Sequence, residues 1–154
     1  MIFTTPKSIR LNGVRGEQLD FLAAKLGTSA TGAIEYMLKK EIEAGMIEAT
    51  LPRLAVATEG EFVTLTVDTL PVRMSAKDAT DLVDTIRYSL DRRNDAMTIH
   101  VETMISVSRR GVGFIVEARP VEGHAKVAAT RGVMEDLADQ LASAAKAASE
   151  VTTI

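Results

Sequence analysis

The stretch Lys7-Ser8-Ile9-Arg10-Leu11-Asn12-Gly13 decides how the first third of the chain must be read. Polar and apolar residues alternate from Lys7 to Leu11, as in a half-buried strand. Ile9 and Leu11 face one side, Ser8 and Arg10 the other. Asn12-Gly13 ends the strand. A helical pattern follows from about Gly16 to Leu26, with Leu19, Leu22, Ala23 and Leu26 on one stripe. Gly27 stands where a helix terminus calls for a left-handed residue. Ser29 or Thr31 can cap a second helix, whose stripe is Ile34, Met37, Leu38 and Ile42. Gly45 closes it after Lys39-Lys40.

A single short strand leaves its backbone donors and acceptors without partners. Two helices and one strand in some 40 residues also bury little surface. A second copy answers both needs: two strands pair antiparallel and four helices share one core. A homodimer is therefore expected.

This order and spacing resembles the ribbon-helix-helix family of the Arc and MetJ type. The matching residues are the strand Lys7–Leu11, the first helix, and the turn Gly27-Thr28-Ser29-Ala30-Thr31-Gly32-Ala33-Ile34. The family pattern at that turn is Gly-x-Ser-x-Ser-x-x-Ile. The resemblance covers about residues 7–46. It implies that outward strand residues read base edges in the major groove. Those residues would be Lys7, Ser8 and Arg10. It also implies that Ser29, Ala30 and Thr31 grip a phosphate through backbone N–H groups at a helix N-terminus. Pro6 shortens the ribbon, and Asn12–Gly16 departs from the usual Pro or Ser with a nearby acid at the start of the first helix.

Pro52 and the end of the helical pattern mark a boundary near residues 47–52, giving expected domains 1–48 and 52–154. Beyond it, Leu54 to Gly60 leads into the alternating run Phe62-Val63-Thr64-Leu65-Thr66-Val67, with Gly60 at a hairpin turn. Pro71–Met74 reads as a third strand. Ser75 caps a helix running to about Leu90, with Ala79, Leu82, Val83, Ile86 and Leu90 on one face. Much of this recurs. Ile105–Gly111 parallels Leu54–Gly60, and Phe114–Ala118 parallels Val63–Val67, both at an offset of 51. Asp136–Leu141 parallels Asp81–Ile86 at an offset of 55, which places a four-residue insertion in Pro120–His124. The expected class is α+β: a ribbon-helix-helix, then an internally duplicated antiparallel sheet with two helices on one face. Met97–Thr103 adds a strand between the units.

The 154 residues carry a net charge of −3, so any contact with nucleic acid must come from a local patch. Residues 1–47 carry six basic and five acidic side chains, against 18 and 21 in the whole chain. The weak positive balance thus lies at the N-terminal end. With no cysteine, disulfides and thiolate metal sites are excluded, as fits a reducing cytoplasm. No apolar run reaches membrane-span length and no signal peptide is evident.

His100 and Glu102 share a strand face, where a metal or acid–base role competes with a simple exposed polar face. His124 reads as a solvated loop residue. Asp81/Asp84 and Asp136/Asp139 are i, i+3 pairs that could hold a metal or a proton and read more simply as the wet sides of helices. Arg92-Arg93 follows a helix and suits its dipole. Arg109-Arg110 falls at a hairpin tip, where it could touch a phosphate or a partner. The seven methionines read as core. Neither a phosphate loop nor GxSxG nor HExxH is present. No catalysis, cofactor or metal is expected, and with two histidines and no cysteine the chain lacks the ligands of the nickel-responsive ribbon-helix-helix repressors.

The expected function is a dimeric repressor that reads a palindromic operator in double-stranded DNA. The second domain would support higher assembly or bind an effector. The alternative is a phage- or plasmid-type interaction or inhibitor protein, with the ribbon used only for dimerisation and the second domain for a protein partner.

Overall fold

The computed structural model describes residues 8–91 and 97–152. Contacts divide the chain into two units, Ile2–Ala49 and a second beginning at Thr50. The chain is α+β, with four helices and two antiparallel sheets among the described residues.

In the first unit, α1 spans Gly13–Leu26 and α2 spans Ala30–Glu43. Asn12 caps α1, its side chain accepting from Arg15 N–H at 2.9 Å, so the helix starts earlier than the expected Gly16. Gly27 ends α1 at φ 65, where a side chain would be strained. Ser29, rather than Thr31, caps α2. Residues 8–12 form no strand, and Lys7 lies outside the described residues. The expected ribbon needs a second chain to satisfy its backbone, and one chain alone offers none. Among the described residues of this unit only Ala23 and Ala33 are buried, while ten large apolar side chains are exposed, Phe21 by 65%.

In the second unit, β1 (Leu54–Glu59), β2 (Phe62–Val67) and β3 (Leu70–Ser75) form a three-stranded sheet in that order. Gly60, at φ 60, occupies the two-residue turn that pairs Glu59 with Phe62. Helix α3 (Ala76–Leu90) follows β3 directly, its N-terminus capped by Ser75 Oγ accepting from Asp78 N–H at 3.0 Å. Then β4 (Thr98–His100), β5 (Ile105–Arg110), β6 (Gly113–Ala118) and β7 (Ala125–Ala129) form a four-stranded sheet. Helix α4 (Arg131–Thr152) closes the chain. Thr130 Oγ1 accepts from Val133 N–H at 3.3 Å, doing for α4 what Ser75 does for α3.

The duplication is visible side chain by side chain. Val63, Leu65 and Val67 are buried on β2, and Phe114, Val116 and Ala118 on β6. Val72 and Met74 on β3 match Val127 and Ala129 on β7. Leu82, Val83 and Ile86 on α3 match Leu137, Ala138 and Leu141 on α4. The insertion is also where the offsets place it: residues 68–69 join β2 to β3, whereas residues 119–124 join β6 to β7.

The two repeats do not build the single sheet expected. Pro71 has no N–H to offer a further strand, which keeps β3 at an edge. Helix α4 lies against β1, and the intervening strand β4 is only three residues long and pairs with β5. That strand is shorter than the expected Met97–Thr103. What unites the repeats is the helical layer. Helices α3 and α4 pack along each other, and each touches strands of both sheets, so one hydrophobic core runs through the unit. The methionines divide: Met74 and Met134 are core, but Met37, Met46, Met97 and Met104 are exposed.

Candidate functional sites

The residues assigned to base reading, Ser8 and Arg10, are exposed and precede α1 without regular structure. At the start of α2, Ser29 Oγ accepts from Gly32 N–H at 3.1 Å, and Ala33 N–H donates to Ser29 O at 2.9 Å. The amides of Ala30 and Thr31 lie in the first turn, where no carbonyl of the helix itself can accept them. Thr31 is exposed and Ala30 half-buried.

Arg109 and Arg110 separate. Arg110 is exposed beside the turn at Gly111. Arg109 is not at the tip: it shares the inward side of β5 with Ile105 and Val107 and stacks over Phe114, 5.4 Å from the ring centroid. Its Nη2 donates to Asp91 O at 3.0 Å and to Ser89 O at 3.3 Å. Arg131 Nη1 donates to Leu90 O at 2.6 Å. Two guanidinium groups thereby cover three successive carbonyls at the C-terminus of α3, where the helix dipole favours positive charge. That role was expected of Arg92-Arg93, which lie outside the described residues. Sequence reading missed Arg131 entirely.

His100 is buried rather than on an exposed polar face, with 6% of its surface accessible. It sits on β4 against α3. Its Nδ1 lies 2.8 Å from Thr103 Oγ1, itself buried, while Nε2 is buried without a hydrogen-bond partner. Ligand atoms of Asp78, Asp81 and His100 all lie within 4.8 Å of one another. Glu102 Oε2 is 3.5 Å from His100 Nε2. Asp78 and Asp81, i and i+3 on α3, are both half-buried. Lys77 Nζ donates to Asp81 Oδ2 at 2.7 Å. That bond, with the charge of Lys77, holds the Asp81 carboxyl below its ordinary range against a smaller desolvation effect. The i, i+3 pair that lies beside His100 is thus Asp78/Asp81, not Asp81/Asp84.

His124 is half-exposed but not merely solvated: Nε2 lies 2.6 Å from Glu117 Oε1. Arg119 Nη2 donates to the same oxygen at 2.7 Å. Hydrogen bonds from Arg119 first, then His124, hold the Glu117 carboxyl below its usual range. Such a group stabilises the fold fully above the unfolded-state carboxylate range and loses that contribution as pH falls through the lower folded-state value. Thermal unfolding from about pH 5 downward should therefore be steeper in the wild type than in Glu117→Gln. Parallel curves would show that Glu117 contributes nothing on the acid side.

An open groove between β1 and α4 is lined by Val56, Thr58, Asp139, Ser143, Ala144 and Ala147. Its one acid, Asp139, lies 3.8 Å from Arg87. No helix among the described residues is long and apolar enough to cross a membrane. No family model, no curated protein and no solved structure matches this chain.

Proposed function

We propose that the protein is a homodimeric DNA-binding regulator whose first unit dimerises through its helices and an intermolecular ribbon around Ser8–Leu11. The observation that carries this reading is the imbalance of that unit. Two capped helices bury only Ala23 and Ala33, leaving Ile9, Leu11, Phe21, Met37 and Leu38 among the ten exposed large apolar residues of its described part. A two-helix segment with that much uncovered apolar surface needs a partner, and a second copy supplies a matching surface of the same kind. Pairing residues 8–11 of two chains would put Ile9 and Leu11 into the shared core. Ser8 and Arg10 would then face out. A guanidinium at Arg10 offers two donors to guanine O6 and N7, and the amides of Ala30 and Thr31 suit a backbone phosphate.

The test is selection of bound duplexes from a random pool by the purified protein. An enriched short palindrome with fixed half-site spacing supports the reading. Binding should weaken steeply with salt. No binding to any duplex at low salt would overturn it and favour an interaction protein that uses the ribbon only to dimerise. On an enriched site, Arg10→Ala is expected to cost about 1–3 kcal/mol per lost base contact, read as a change in Kd. Equal affinity for the two proteins would remove Arg10 from base reading.

A further inference from the structure

The buried Nε2 of His100 poses an electrostatic problem. Nδ1 is committed to Thr103 Oγ1 at 2.8 Å, and Thr103 Oγ1 has the His100 carbonyl oxygen at 3.5 Å as acceptor for its own proton. With Nδ1 donating to Thr103 Oγ1, the lone pair falls on Nε2. The lone pair then faces carboxylates: Glu102 Oε2 at 3.5 Å, with Asp78 and Asp81 in the same cluster. A buried lone pair without a donor, set against negative oxygens, is unfavourable unless a cation lies between them.

We propose that Asp78, Asp81 and His100 Nε2 form a binding site for a divalent first-row transition ion, with Glu102 as a fourth ligand. Mixed imidazole and carboxylate donors suit zinc or manganese rather than magnesium or calcium, which prefer oxygen alone. The local folding places each ligand. Ser75 fixes the start of α3, so Asp78 and Asp81 project from its first two turns on one side. β4 presses His100 against that side, and Thr103 holds the ring as an outer hydrogen-bond partner holds a metal-bound imidazole. A tetrahedral ion with bonds near 2.0–2.1 Å spaces its ligand atoms roughly 3.4 Å apart, so modest rotamer changes in the two aspartates close the cluster. Lys77, 82% exposed, now occupies Asp81 and would swing away when the ion binds. The site lies wholly within the second unit and does not depend on the DNA reading.

The full chain, freed of metal with chelator, is titrated with Zn2+ by calorimetry and with Co2+ by visible absorption. One ion per chain is expected, with Co2+ giving the bands of a nitrogen- and oxygen-ligated site. Asp81→Asn, on a helix surface, should weaken Zn2+ at least ~10-fold, and Thr103→Val ~10–100-fold. Lys77→Met should tighten it by freeing Asp81. His124→Ala removes the other imidazole and should change nothing. The proposal is overturned if the folded wild type takes up neither ion. It is equally overturned if Asp81→Asn and His100→Asn both bind like wild type, or if His124→Ala abolishes uptake.

Discussion

Leu137→Ala is expected to lower the unfolding free energy of the second unit by about 2–5 kcal/mol. Leu137 is fully buried on α4, in one stripe with Met134, Ala138, Leu141, Ala145 and Ala148. The neighbours on that stripe are mostly alanine, which cannot extend to refill the space. A small domain has only about 5–15 kcal/mol in total, so this one change removes a large share. Each kcal/mol lowers Tm by roughly 4–8 °C in a domain of this size. Val112→Ala is the counterpart at a turn tip, where the side chain is 100% exposed, and should stay within about 0.5 kcal/mol of wild type. The shape of the transition matters as much as its midpoint. Because α3 and α4 each touch both sheets, the two repeats should unfold together. Two separate transitions within the second unit would show that the repeats keep separate cores, and an unchanged midpoint for Leu137→Ala would overturn the burial argument.

The duplication was legible because burial repeats with the sequence. Period-two alternation marked β2 and β6, and the i, i+3, i+4 stripe marked α3 and α4. The offset change from 51 to 55 located the longer β6–β7 connection. The division into two sheets was also written in the chain, at Pro71. A proline in a strand marks an edge, and an edge strand cannot lie in the middle of a continuous seven-stranded sheet. Arg109 was readable in the same way. It shares parity with Ile105 and Val107, so its side chain starts toward the core, and only Arg110 is left for the tip.

Other features had no local signal. The Asp78/Asp81/His100 cluster depends on β4 lying against α3 across some twenty residues of sequence, and no spacing rule predicts that pairing. His100 also looked exposed because it shares a strand face with polar Glu102, yet Thr103 and α3 cover it. Arg131 reaches the end of α3 from 41 residues away. These contacts are set by tertiary packing. Local propensity weighs them only after the fold is known.

Leu38→Glu is expected to turn a dimer into a monomer at micromolar concentration. In one chain Leu38 is 48% exposed on α2, beside Met37, which is 40% exposed. In the proposed dimer this surface closes against the second copy. Burying one Leu is worth about 1.5–3 kcal/mol. An unpaired carboxylate in the same place adds a desolvation cost of several kcal/mol. Together they weaken association at least ~100-fold, since each 1.4 kcal/mol is about tenfold. The second unit has its own core, so its unfolding should be unaffected, which separates lost association from lost folding. Sedimentation equilibrium reads the mass, and the same sample reports duplex binding. A monomeric variant that has also lost operator affinity ties recognition to the pairing of two copies, because an intermolecular ribbon cannot form in one chain. A wild type that already sediments as a monomer would instead leave the exposed faces of α1 and α2 to some other partner.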